Sequence, residues 1–138
     1  MDPFTIVVGV IGTLDAGTRL SSKASSLISK LKNAPADILT LMNELEDLRV
    51  VLNEAGLAGE KLEDAAHTNS TLHSALREVL QSAHLQIDEL ETIIDRTQGM
   101  KLQQRITWLR KQGNIEKRRA ELRSCREQLR DILATHNV

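Results

Sequence analysis

Apolar residues recur along this chain at helical spacing. Leu20, Ala24, Leu27 and Leu31 follow one another at intervals of four, three and four, which is one face of a helix. The register runs backwards through Gly17, Thr13, Val10 and Ile6. Asp2-Pro3 is a start signal, an N-cap acid before a proline at the first helical position. The pattern predicts one helix over 3–32, with Gly12 and Gly17 as points of flexure. "NAP" at 33–35 breaks it, because Pro35 disfavours helical geometry at Ala34 and suits the first turn of a new helix.

Ile38, Leu41, Met42, Leu45, Leu48 and Leu52 form the stripe of the second helix, which Gly56 and Gly59 end. Residues 57–70 contain "AAHTNS" and read as a loop or a frayed turn. The third helix is the clearest. Leu72, Leu76, Val79, Leu80, Ala83, Ile87, Leu90 and Ile94 share a face over about 71–97, and Gly99 stops it. The fourth region opens with Leu102, Ile106 and Leu109 and is interrupted by "QGN" at 112–114, where Asn114 is placed to cap a resumed helix. Ile115, Leu122 and Leu129 then repeat every seven residues, with Cys125 and Ile132 on the adjoining seam. Four amphipathic segments with short breaks predict an all-α fold, an antiparallel four-helix bundle of four to five helices with a long apolar N-terminal helix, in one domain spanning 1–138.

Composition supports the same class. The chain has one Phe, one Trp and no Tyr, and its apolar content is carried by Leu, Ile, Val and Ala. Its single cysteine excludes an intrachain disulfide and fits a reducing compartment. Charge is unevenly spread. Residues 1–100 hold 8 basic against 15 acidic residues, whereas 101–138 hold 10 against 4. Either the two halves pair within the bundle, or the C-terminal helix offers a basic face, with Arg118, Arg119 and Arg123 as contacts for anionic lipid.

The first helix carries more apolar surface than one stripe needs. "PFTIVVGVIGTL", residues 3–14, contains no charge. No Lys or Arg precedes it and no small-x-small site follows, so it does not read as a secretory signal. It is also short of the about 20 residues a membrane span needs. On a 100° wheel, Phe4, Val8 and Ile11 fall opposite the stripe, and Val7 and Leu14 lie between. The first four turns are apolar on nearly all sides. Two readings follow: the helix sits at the centre of the bundle, or Phe4, Val8 and Ile11 face a membrane or another chain.

The sequence offers no catalytic constellation. His67, His73, His84 and His136 include no i, i+4 pair of the kind a helical metal site uses. Cys125 falls on an apolar seam and reads as a buried thiol, and Trp108 as a core or rim residue. Gly9 and Gly12 lack the strand and the Lys-Ser/Thr of a phosphate loop. The basic segment alternates Arg and Lys with Glu and has no aromatic row for stacking bases. The sequence thus points away from an enzyme, a small-molecule substrate, a cofactor, a metal and nucleic acid.

In its "MDP" start and apolar first helix, its "NAP" leading into "ILTLMNELEDLRVVL", and its Trp-containing "ITWLRKQGNIEKRRAELRSCREQLRDIL", the chain resembles the fungal HeLo-like domains. These stand at the N-termini of fungal NOD-like (STAND) receptors and related cell-death proteins. The resemblance covers essentially the whole chain. It implies kinship with the four-helix domain of the mixed-lineage kinase-like necroptosis effector and with plant coiled-coil resistance domains. It further implies a domain excised from a longer protein, cytoplasmic at rest, that self-associates and reaches anionic plasma-membrane lipid to cause regulated cell death. The membrane-active role falls on Phe4, Ile6, Val7, Val8, Val10, Ile11 and Leu14. A signalling or adaptor bundle that never touches lipid is the competing expectation.

Overall fold

The computed structural model describes residues 5–31, 36–101, 104, 105, 108 and 113–135. Every regular element among them is an α-helix: α1 (Ile6–Ser29), α2 (Ala36–Leu57), α3 (Gly59–Thr68), α4 (Ser70–Gln98) and α5 (Gly113–Thr135).

Helix α1 begins three residues later than expected. Thr5 is extended (φ −122°, ψ 150°), and its side chain accepts from the amide of Val8, so it is the N-cap. The Asp2-Pro3 signal, the "NAP" break, Leu102, Ile106 and Leu109 lie outside the described residues. The buried face of α1 is Ile6, Val10, Thr13, Ala16, Leu20, Ala24 and Leu27. It follows the predicted stripe except that Ala16 is covered, Gly17 is half-buried, and Leu31, also half-buried, lies beyond the end of the helix. Every residue of the predicted α4 stripe is buried, from Leu72 to Ile94. In α2, Val51 and Ala55 join the stripe, while Met42 is half-buried. In α5 the seven-residue repeat Ile115, Leu122 and Leu129 is buried with Cys125, and Ile132 packs partly buried against the core. Trp108 is also half-buried against that core.

Residues 57–70 are not a loop. Ala58 ends one helix and precedes the next, and Gly59, Leu62 and Ala66 form the buried side of α3. Asn69 closes α3 and opens α4, its side-chain oxygen accepting from the Leu72 amide at 3.1 Å. Gly99 ends α4 where predicted, in right-handed geometry (φ −78°, ψ −7°). The guanidinium of Arg105 donates to the carbonyls of Gln98 and Met100, both at 3.0 Å, and so satisfies acceptors the helix end leaves open. Helix α5 already begins at Gly113, one residue before the expected cap Asn114.

Side-chain pairings fix the directions of the long helices. Val10 of α1 sits against Gly56, and the residues from Gly17 to Ser21 lie beside Leu45 to Leu52, so α1 and α2 run oppositely. Arg118 meets Gln86 and Cys125 meets Ser82, so α4 and α5 also run oppositely. Helices α1 and α4 lie side by side and run the same way. Gly12 is beside His84, Gly17 beside Ile87, Arg19 pairs with Glu91, Lys23 with Asp95, and Lys30 with Gln98. The bundle therefore departs from one in which every lateral neighbour is antiparallel. The reason is α3, which packs on α1, α2 and α4 at one end and carries the chain from α2 to the far side of α1. Helix α5 completes the square between α4 and α2.

Candidate functional site

The outer side of α1 changes character along its length. Ile6 and Val10 are core residues, 0% and 1% exposed. Both are expected as membrane contacts, and in the bundle they fill the core. Val8 and Ile11 do face outward, 64% and 53% exposed. One turn on, the same side carries Asp15, Thr18, Arg19 and Ser22, all exposed. The central-helix reading therefore fails for the first turns, because the bundle covers one side of α1 and leaves the opposite apolar side bare. Phe4 lies outside the described residues.

Val7 and Leu14, half-buried, line a shallow groove of about 440 Å³ with Ile11, Asn53, Gly56 and Leu57. Leu57, the last residue of α2, is 91% exposed. Ile11 and Leu57 thus share an exposed apolar groove at the end of the bundle where α1 starts, and Val8 is exposed on the outer side of the same turns of α1. The sequence reading found Val8 and Ile11 from the wheel and missed Leu57, which it placed in a loop. Leu39, Val50 and Leu85 are also exposed; scattered apolar residues of this kind are ordinary on a soluble surface.

Arg118, Arg123 and Arg126 of the basic C-terminal helix pair with side chains of the bundle. Arg123 gives two hydrogen bonds to one Glu44 oxygen, at 3.1 and 3.0 Å, and Arg126 bridges Glu44 at 3.4 Å and Asp47 at 3.0 Å. Glu44 is buried at 9% exposure. Arg118 donates to Gln86 at 2.9 Å, and Arg119 is half-buried. Of the expected lipid contacts, Arg118 and Arg123 are thus engaged within the bundle, although the Arg123 side chain stays 44% exposed. The acidic body and the basic helix neutralise one another across the α2–α5 seam, while the α4–α5 seam holds Arg118 against the neutral amide of Gln86. A second ionic seam ties α1 to α4. Lys23 reaches Glu91 at 2.9 Å and Asp95 at 3.0 Å, and Arg19 adds a bond to Glu91. The hydrogen bond from Lys23 holds the Glu91 carboxyl below its ordinary value and raises the ammonium of Lys23 in return.

Cys125 is buried, and burial pushes its thiol up. Among the described residues no helix is long and apolar enough to cross a membrane, and no three His, Cys, Asp or Glu side chains stand close enough together to hold a metal ion.

Comparison with protein-family models, curated proteins and solved structures gave no match.

Proposed function

We propose that this chain is a membrane-engaging bundle of the HeLo-like kind, which enters the surface of an anionic plasma membrane through the outer face of α1 and, once clustered, permeabilises it to bring about regulated cell death. The observation that carries the reading is the exposure of Val8 and Ile11 on the first turns of α1 and of Leu57 beside them in the Ile11 groove, with polar residues one turn on along α1. Each side chain gains of order 1–2 kcal/mol on entering an apolar phase, counting what is already covered. That supports reversible, shallow binding by one copy and firm binding by several held together. The uncharged stretch of α1 from Ile6 to Leu14 rises about 13 Å, against a hydrocarbon core of about 30 Å. Shallow or oligomeric insertion follows, in place of a single span.

A second reading has one observation in its favour. Arg118 and Arg123 are occupied within the bundle, which removes two of the cations expected to draw it to anionic lipid. On that reading the same exposed residues dock a protein, and the domain is an adaptor. Leakage of dye from phosphatidylserine-containing vesicles, measured for the parent and for Val8→Glu/Ile11→Glu, separates the two. The membrane reading expects release by the parent and its loss in the variant at unchanged thermal stability. Absence of release by the parent at any protein-to-lipid ratio favours the adaptor.

A further inference from the structure

The start of α1 is held by another helix. A helix leaves its first four amides without internal partners. Here Val8 N donates to Thr5 Oγ1 at 3.2 Å, and Gly9 N makes the first bond of the helix itself, to the Thr5 carbonyl at 2.9 Å. The amides of Ile6 and Val7 have no acceptor within their own turn. Ile6 N donates to Glu63 Oε1 at 2.6 Å and Val7 N to the same oxygen at 3.3 Å. Glu63 belongs to α3, 57 residues away from Ile6, and a carboxylate there also suits the positive end of the α1 dipole. Four residues earlier on α3, Gly59 makes a second contact. A Cβ placed on it lies 2.8 Å from Val7 Cγ2, so the β-branched side chain sits where any residue but glycine intrudes.

These two contacts lie on one helix and grip the same turn of α1. Behind that turn are Ile6 and Val10, the apolar side chains that the bundle keeps from solvent. We infer that α3 is a clasp: through Glu63 and Gly59 it holds the first turns of α1 on the bundle and sets how readily they leave it for a membrane. The holding part stands on the contacts alone; the regulatory part rests on the membrane reading above.

The test uses the whole chain with three variants and two readouts, amide hydrogen exchange over residues 6–14 and dye release from phosphatidylserine-containing vesicles. Glu63→Ala removes the acceptor of two amides. Exchange there is expected to quicken about five- to thirtyfold, the factor carried by one lost helix cap, with α4 unchanged and dye release faster. Gly59→Ala is expected to act in the same direction by displacing Val7. Val7→Cys with Gly59→Cys places two thiols within disulfide reach. When oxidised it is expected to slow both exchange and release, and a reductant is expected to restore them. Because the crosslink acts opposite to the other two, general destabilisation does not reproduce the set. Unchanged exchange in Glu63→Ala overturns the clasp. Altered exchange in the variants with dye release equal to the parent's overturns its regulatory role and leaves the membrane reading intact. Absence of release from parent and variants alike defeats the membrane reading, and the regulatory role with it, while exchange still reports whether α3 holds α1.

Discussion

Glu44 is the acidic residue on which the acidic body and the basic helix meet, and Glu44→Ala measures what that meeting is worth. The carboxylate is nearly buried, accepts twice from Arg123 and once from Arg126, and joins α2 to α5. A hydrogen bond to a charged partner contributes about 1.5–3 kcal/mol when shielded. Two features reduce the total. The side chain of Arg123 is 44% exposed, so water takes over much of its part. Arg126, only 16% exposed, keeps Asp47 after Glu44 is gone. The net loss is therefore about 2 kcal/mol, which for a domain of this length lowers Tm by about 6–10 °C. Urea unfolding followed by circular dichroism reads it directly. Asp47→Ala is the comparison: its carboxylate is more than half exposed, and its loss is expected to remain below about 1 kcal/mol. A change below about 0.5 kcal/mol for Glu44→Ala refutes the reasoning, and returns Arg123 and Arg126 to the surface as cations available to an outside partner.

Other consequences are simpler. Leu76 and Leu90 are fully buried in α4, so truncating either to Ala is expected to lose about 2–5 kcal/mol in the same assay. Because the Glu91 carboxyl is held below its ordinary value in the fold, it binds a proton less readily there than in the unfolded chain. Its contribution is present above the ordinary carboxyl value of 4.5 and is lost as pH falls through the lower folded value, a slope that Glu91→Gln is expected to flatten. Cys125, buried with a raised thiol, is expected to react with a thiol reagent at pH 8 far more slowly in the native protein than in urea; equal rates contradict its burial.

The faces of the long helices were legible because burial acts on each helix through its own 3.6-residue period. All eight apolar positions read for α4 are buried, and the α1 stripe shifts from Gly17 to Ala16 and stops at Leu27, short of Leu31. What was not legible lies between helices. Helix α3 buries Gly59, Leu62 and Ala66, a small set flanked by residues that favour turns, a pattern that by sequence alone reads as a loop. The i, i+4 pair Leu62 and Ala66 was the available signal. A stripe also does not say which helix covers it, so the parallel seating of α1 on α4 emerges only from pairs such as Lys23 with Glu91. For the same reason the C-terminal arginines fit two readings by charge pattern alone, and the fold is what sets Glu44 opposite Arg123 and Gln86 opposite Arg118. The outward position of Val8 and Ile11 was legible on the wheel; that α3 holds the turn they sit on was not.

The claim that the exposed turn of α1 enters the membrane is tested most directly by an environment-sensitive fluorophore attached at Val8→Cys in a Cys125→Ala background, with Asp15→Cys as the partner site. Both positions are exposed on the outer side of α1, two turns apart. On adding phosphatidylserine-containing vesicles, the label at position 8 is expected to shift to the blue and to be quenched by nitroxide lipids, while the label at position 15 keeps its aqueous spectrum. Aqueous spectra at both positions, with the protein sedimenting free of the vesicles, contradict the account.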